Sequence, residues 1–247
     1  MNRALRAKKI SKILNQIYPK TFTPLKHKNI FTLLISVLLS AQCTDVTVNK
    51  VTRNIYIKYN KPKDFINLGV KRIEKLIKSI GLFRVKAKNI YNLSKIILKR
   101  HNGKVPKTFE ELEKLPGVGH KTASVVMSQG FGFPAFPVDT HIHRLAQRWG
   151  LTSGKNVDET EKDLKNLFPK KFWNKLHLQI IFYGREYCKA RDCFGIKCKI
   201  CCACNPSLGA PDSNASCRKN GLQKSGRTRR GRALRRWERG RLPSSDH

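Results

Sequence analysis

Apolar residues along the chain recur at helical spacing, and the alternation that marks a half-buried strand is scarce. Phe31, Leu34, Ile35, Leu38 and Leu39 mark a helix apolar nearly all round, which belongs at the centre of a core. Ile73, Leu76, Ile77 and Ile80 mark a second helix, stopped by Gly81. Ile90, Leu93, Ile96 and Ile97 mark a third, ending near Gly103 and Pro106. Asp158 and Glu161 read as a capping box opening a helix from Glu159 to Phe168, which Pro169 ends. Phe172 to Tyr183 forms another amphipathic helix. The pattern predicts an all-α fold with short polar connections.

Charge adds a partner to this picture. Lys and Arg number 51 against 16 Asp and Glu among 247 residues, a formal net charge of +35. Neutralising phosphates releases condensed counterions, so such a surface suits a polyanion better than mere solubility explains it. An anionic membrane surface fits less well, because no Lys-rich stretch carries a clean apolar face. Met1 to Gln16 lacks the apolar run of a signal peptide. Ile30 to Leu39 falls short of the roughly 20 residues that span a bilayer. A cytoplasmic protein is expected, associated with the nucleoid if bacterial.

Composition changes near Asn205. Up to Cys204 there are thirty Lys and ten Arg; from Asn205 to His247 there are two Lys, nine Arg and no Ile. Gly, Ser, Pro and Arg dominate the tail, which cannot bury a core and is expected to be disordered. It reads as an extension from a shifted frame or, alternatively, as a basic arm adding nonspecific DNA affinity.

Candidate chemistry begins at residues 115–123, LPGVGHKTA. Pro116 and Gly117 break a short helix, Gly119 permits a tight turn with a positive φ, and Lys121 to Ser128 starts a second helix. Such a turn points N–H groups at a DNA phosphate beside the positive end of the helix dipole. Lys121 lies in the first turn, where the dipole opposes a cation and favours the neutral amine a nucleophile needs. The plainer reading of Lys121 is a phosphate contact. Eighteen residues on, PVDTHIHRLAQRWG places Asp139 at a helix start, where N-capping alone accounts for a carboxylate. LLSAQCTD ends a helix with Gln42, and SIGLFRVKA carries Leu82, which by itself reads as core.

Taken together, these strings resemble the endonuclease III family of helix-hairpin-helix DNA glycosylases, from residue 1 to about 201. The resemblance implies that Lys121 is the nucleophile and that Asp139, across the cleft, assists base departure. It implies that Gln42 fills the gap left by an extruded base, that Leu82 wedges the opposite strand, and that Gly117 and Gly119 meet phosphate. His141 and His143 read as structural or phosphate-contact residues.

Six of the eight cysteines lie between Cys188 and Cys204, which in a reducing compartment indicates metal before disulfides. The family pattern, C-x6-C-x2-C-x5-C, holds a [4Fe–4S] cluster. Here nine residues separate Cys188 from Cys198, two separate Cys198 from Cys201, and Ser207 occupies the expected fourth position. Cys188, Cys198 and Cys201, with Cys204 as replacement, form the expected ligand set, and Cys193 and Cys202 are further candidates. An iron–sulfur cluster, a zinc ion and free thiols stay open on spacing alone.

The implied architecture has two helical lobes with a DNA-binding cleft between them. Residues 22–133 form a six-helix lobe whose hairpin lies at about 112–131, and residues 1–21 with 134–204 form the second. The implied function is a monomeric enzyme that excises oxidised pyrimidines from double-stranded DNA and cleaves abasic sites by β-elimination. The alternatives are an adenine-type glycosylase without lyase activity and a noncatalytic helix-hairpin-helix module. Lys121 opposes the first, and the pairing of Lys121 with Asp139 opposes the second.

Overall fold

The structure is a computed structural model, and it describes residues 1–193 and 197–204. Eleven α-helical elements follow one another among the described residues, with no strand between them, and the fourth is kinked at Gly69, whose φ is 68°. They are α1 (Arg3–Ile17), α2 (Ile30–Ser40), α3 (Asp45–Lys58), α4 (Pro62–Leu76), α5 (Phe83–Arg100) and α6 (Phe109–Glu113), then α7 (His120–Val125), α8 (Thr140–Arg148), α9 (Val157–Leu167), α10 (Trp173–Glu186) and α11 (Lys199–Cys204). A π-helical turn, Val126–Gly130, continues α7.

Helix α2 is the hub of a first apolar cluster that runs from Leu25 to Met127. Asn29 caps it by accepting from the Thr32 N–H, and every residue from Phe31 to Leu39 is buried. Burying a Leu or Ile side chain contributes roughly 1.5–3 kcal/mol, so this one helix anchors the cluster. Helices α4 and α5 pack against each other beside it. Their buried faces carry Phe65 and Ile73 on α4 and Ile90, Leu93 and Ile97 on α5.

A second apolar cluster joins the first helix to the last four. Ile10 and Leu14 of α1 meet Leu145 of α8, Leu164 of α9, Ile180 of α10 and Ile200 of α11. Trp149 is fully buried and meets Tyr183 edge-on, with ring centroids 5.7 Å apart. Gly184 lets α8 and α10 approach closely, because a Cβ there would lie 2.6 Å from Leu145 Cδ1.

Two of the differences from the sequence pattern have a local cause. Helix α4 ends at Leu76; the chain then turns, with the Ile80 N–H donating to the Ile77 carbonyl, so Ile77 and Ile80 reach the core from outside a helix. Helix α9 starts at Val157, because Asn156 rather than Asp158 supplies the cap, accepting from the Glu159 N–H at 2.9 Å. Helix α3 escapes the periodicity because its buried stripe, Val48, Thr52, Ile55 and Tyr56, contains a threonine and a tyrosine. Among the described residues no helix is long and apolar enough to cross a membrane. The tail from Asn205 to His247 and Ser207 lie outside the described residues.

Candidate active site and cysteine cluster

The hairpin is built by one turn. Leu115, Pro116, Gly117 and Val118 form it, and the Val118 N–H donates to the Leu115 carbonyl at 3.0 Å. Gly117 has φ of 78°, the conformation that the third position of a Pro-Gly type II turn requires. A Cβ there would stand 2.6 Å from Asn89 Nδ2. The positive φ expected at Gly119 is therefore found at Gly117. Gly119 is extended, with φ of −95°, and is the residue from which α7 starts. His120 ties the two halves together: its Nδ1 lies 2.8 Å from Glu113 Oε1 and its Nε2 lies 3.5 Å from Glu161. Burial pulls the imidazole pKa down, but the two carboxylates outweigh it and raise it above the usual range.

Asp139 caps α8, its Oδ1 accepting from the Ile142 N–H at 2.8 Å. Its other oxygen lies 3.4 Å from Lys121 Nζ, across eighteen residues of chain. Burial pushes the Asp139 carboxyl up, yet Lys121, the Ile142 N–H, His141 and His177 together hold it below its ordinary value. The lysine side chain is 55 % exposed and the aspartate 13 %, so an open amine faces a sheltered carboxylate.

A cavity of about 460 Å³ opens beside this pair. Its walls take Leu25 and Val37 from the first apolar cluster and Ile181 from the second. Lys121, Asp139, Gln42 and His141 all line it. Leu82 does not; it projects 60 % exposed at the start of α5, so it is not a core residue. His143 turns away and bonds Thr160 Oγ1 at 2.8 Å.

Further polar residues line the same cavity, among them Asp45, His177 and Arg185. Arg185 donates to Asp45 Oδ2 at 2.7 Å, joining α10 to the start of α3. His177 is buried with neither ring nitrogen hydrogen-bonded, and burial drives its pKa down to about 4, so it is neutral at pH 7. Asp45 closes the LLSAQCTD string and Arg185 opens the run before Cys188, so both were within reach of motif reading. His177 gave no such signal.

The cysteines gather at the far end of α10. The sulfurs of Cys188, Cys193, Cys198 and Cys201 all lie within 4.8 Å of one another, and all four residues are buried. Cys188 Sγ is 3.6 Å and Cys193 Sγ 3.8 Å from Cys201 Sγ. Cys193 therefore takes the place expected of Cys204. Cys204 sits at the end of α11, one turn past Cys201, buried near Arg6 and Lys9. The Cys201 N–H donates to Cys198 Sγ at 3.4 Å, and Arg148 Nη1 donates to Cys188 Sγ at 3.3 Å. Four buried thiols with an arginine against them are the donor set of a [4Fe–4S] cluster, and equally of one tetrahedral zinc ion.

Residues 35–170 match the model of the HhH-GPD superfamily of base excision DNA repair proteins. The chain is 44 % identical to endonuclease III of Bacillus subtilis over 192 residues, 77 % of this chain and 88 % of that protein. It belongs to the endonuclease III family. Endonuclease III of Escherichia coli strain K12 is likewise 44 % identical over 191 residues, covering 77 % of this chain and 90 % of the relative. Among solved structures, a non-covalent endonuclease III–DNA complex superposes with a TM-score of 0.79 at 41 % identity, covering 84 % of this chain and 98 % of that one. A trapped covalent endonuclease III–DNA intermediate superposes with a TM-score of 0.77 at 42 % identity, covering 81 % and 94 %. The endonuclease III fold therefore extends over both apolar clusters.

Proposed function

We infer that this protein is a bifunctional DNA glycosylase and abasic-site lyase that excises oxidised pyrimidines in base excision repair. The carrying observation is the Lys121–Asp139 pair, 3.4 Å apart at the edge of a cavity between two apolar clusters. Relatives solved with DNA, one of them covalently trapped, support the same reading.

In the proposed reaction, the damaged nucleotide leaves the duplex and enters the cavity. Lys121 Nζ, as the free amine, bonds to C1′ while the C1′–base bond breaks and its electrons leave with the base. The Asp139 carboxylate stabilises the positive charge that develops on the sugar and helps the amine lose its proton. Ring opening gives a Schiff base. Loss of a C2′ proton then expels the 3′ phosphate oxygen, which nicks the strand, and water releases the enzyme. A noncatalytic module has no use for this pair.

The remaining assignments support that sequence of steps. Gln42 fills the space of the departed base and Leu82 enters the opposite strand, in keeping with their exposed positions. Gly117 and Gly119 bring the hairpin backbone against phosphate. The two apolar clusters correspond to lobes of residues 22–133 and of 1–21 with 134–204, and DNA lies across the cleft. The enzyme acts as a monomer on damaged or abasic double-stranded DNA, in the cytoplasm where the chromosome lies.

Cys188, Cys193, Cys198 and Cys201 would hold the iron–sulfur group. Bound there, it would crosslink the segment after α10. Incubation with duplex carrying thymine glycol tests the function. Release of the base together with a nick formed without alkali is expected. Base release with an intact strand would leave only a monofunctional glycosylase.

A further inference from the structure

Two residues near the cavity share an uncommon backbone conformation. Gln42 and Leu82 each have φ of 57°, a region that residues with a Cβ enter only against a steric cost. Both side chains are exposed, so neither is held in place by burial. Strain of this kind persists where surrounding structure enforces it.

Lys86 bonds to both turns. It is 5 % exposed, rare burial for a lysine. Its Nζ donates to the Leu39 carbonyl at 3.0 Å and to the Ala41 carbonyl at 2.6 Å. These carbonyls end α2, where a helix leaves its acceptors unpaired, and Ala41 directly precedes Gln42. The Lys86 N–H donates to the Leu82 carbonyl at 3.0 Å. Gly81 lies beside the Gln42 turn, where a Cβ would be at ordinary contact distance from the Gln42 carbonyl oxygen. One residue therefore grips the Gln42 turn with its side chain and the Leu82 turn with its main chain. Burial lowers the amine pKa, against a smaller opposing effect from Cys43.

We propose that Lys86 is a positioning residue that mounts Gln42 and Leu82 as one rigid unit for entering the duplex during base extrusion. The proposal rests on the glycosylase reading above. Extruding a stacked base costs unstacking energy, and a probe already ordered adds no ordering cost at that moment. A preformed abasic site has no base to unstack, so its cleavage makes a smaller demand on the unit.

The test compares wild type and Lys86→Met, as full-length chains, in single-turnover assays on two duplexes. One carries thymine glycol and the other a preformed abasic site. Excision should fall about tenfold or more, a modest part of what misplacing a positioning group can cost. Nicking of the abasic duplex should change less than about threefold. In a Gln42→Ala, Leu82→Ala background, Lys86→Met should slow excision by less than about twofold, since coupled residues are not additive. Equal losses on both duplexes, or a full additional loss in that background, would make Lys86 a structural residue and overturn the proposal. If Lys86→Met does not fold, Lys86→Gln replaces it with the same expectations, and failure of both to fold also overturns it. A wild type with neither activity removes the glycosylase reading, and this proposal with it.

Discussion

Lys121 Nζ stands 3.4 Å from Asp139 Oδ2, although one lies in α7, the other caps α8, and eighteen positions separate them. The hairpin turn at Gly117 aims one and the N-cap of α8 aims the other, so neither depends on the other for its place. This independence makes their charges separable from their structural duties.

Asp139→Asn keeps an N-cap acceptor and removes the charge, so base removal should slow by roughly 10²-fold while stability near neutral pH falls only by what the charge contributes. Asp139→Ala should lose the cap as well, at about 1 kcal/mol of stability. The sign of the pH effect follows from the lowered carboxyl pKa. Stability contributed by Asp139 is present above the unfolded value of about 3.9 and is lost as pH falls through the folded value below it. Chemical denaturation of wild type and Asp139→Asn between pH 2 and 6 measures the difference, which should vanish at the acid end.

The hairpin should distinguish its two glycines. Gly117→Ala forces a side chain into a left-handed conformation and against Asn89, and should destabilise the protein by at least about 1–2 kcal/mol. Gly119→Ala meets no atom within 4 Å at an ordinary φ and should leave stability nearly unchanged. Urea midpoints of the two variants check this, and equal losses would contradict the turn described.

Metal content should follow Cys193 and spare Cys204. Anaerobic purification should give a brown protein with about four irons per chain. Cys193→Ala should lose the colour and the iron, while Cys204→Ala, outside the group of four, should keep both. The reverse outcome would restore Cys204 as the fourth ligand, and one zinc per colourless chain would replace the cluster.

Affinity for undamaged duplex should fall with salt at a log–log slope of about −0.9 per phosphate neutralised. Removing residues 205–247, with their two Lys and nine Arg, should flatten that slope and leave turnover unchanged. Loss of turnover on truncation would give the tail a part in catalysis.

Much of this arrangement is legible in the sequence where chemistry is tied to a local string. The helices at Ile30–Ser40, Phe83–Arg100 and Trp173–Glu186 follow from periodicity, and the meeting of Lys121 with Asp139 follows from two motifs. Other features depend on long-range geometry. Cys193 joins the thiols only because the chain after Cys188 folds back, and spacing alone favoured Cys204. In LPGVG either glycine fits a turn, and the positive φ falls at Gly117, where a Cβ would meet Asn89 of α5. Lys86 is one of thirty lysines before Asn205, and only its burial separates it from the solvated ones. His177 reads as one more position on an amphipathic helix until the cavity beside it is seen.

The central claim is that Lys121 forms a covalent bond to the sugar, and reductive trapping tests it most directly. Borohydride added during reaction with abasic duplex should reduce the imine and leave a stable protein–DNA crosslink on a denaturing gel. Lys121→Ala should abolish that crosslink while retaining most of the affinity for the duplex. A Lys121→Ala protein that crosslinks at the wild-type rate would contradict the account.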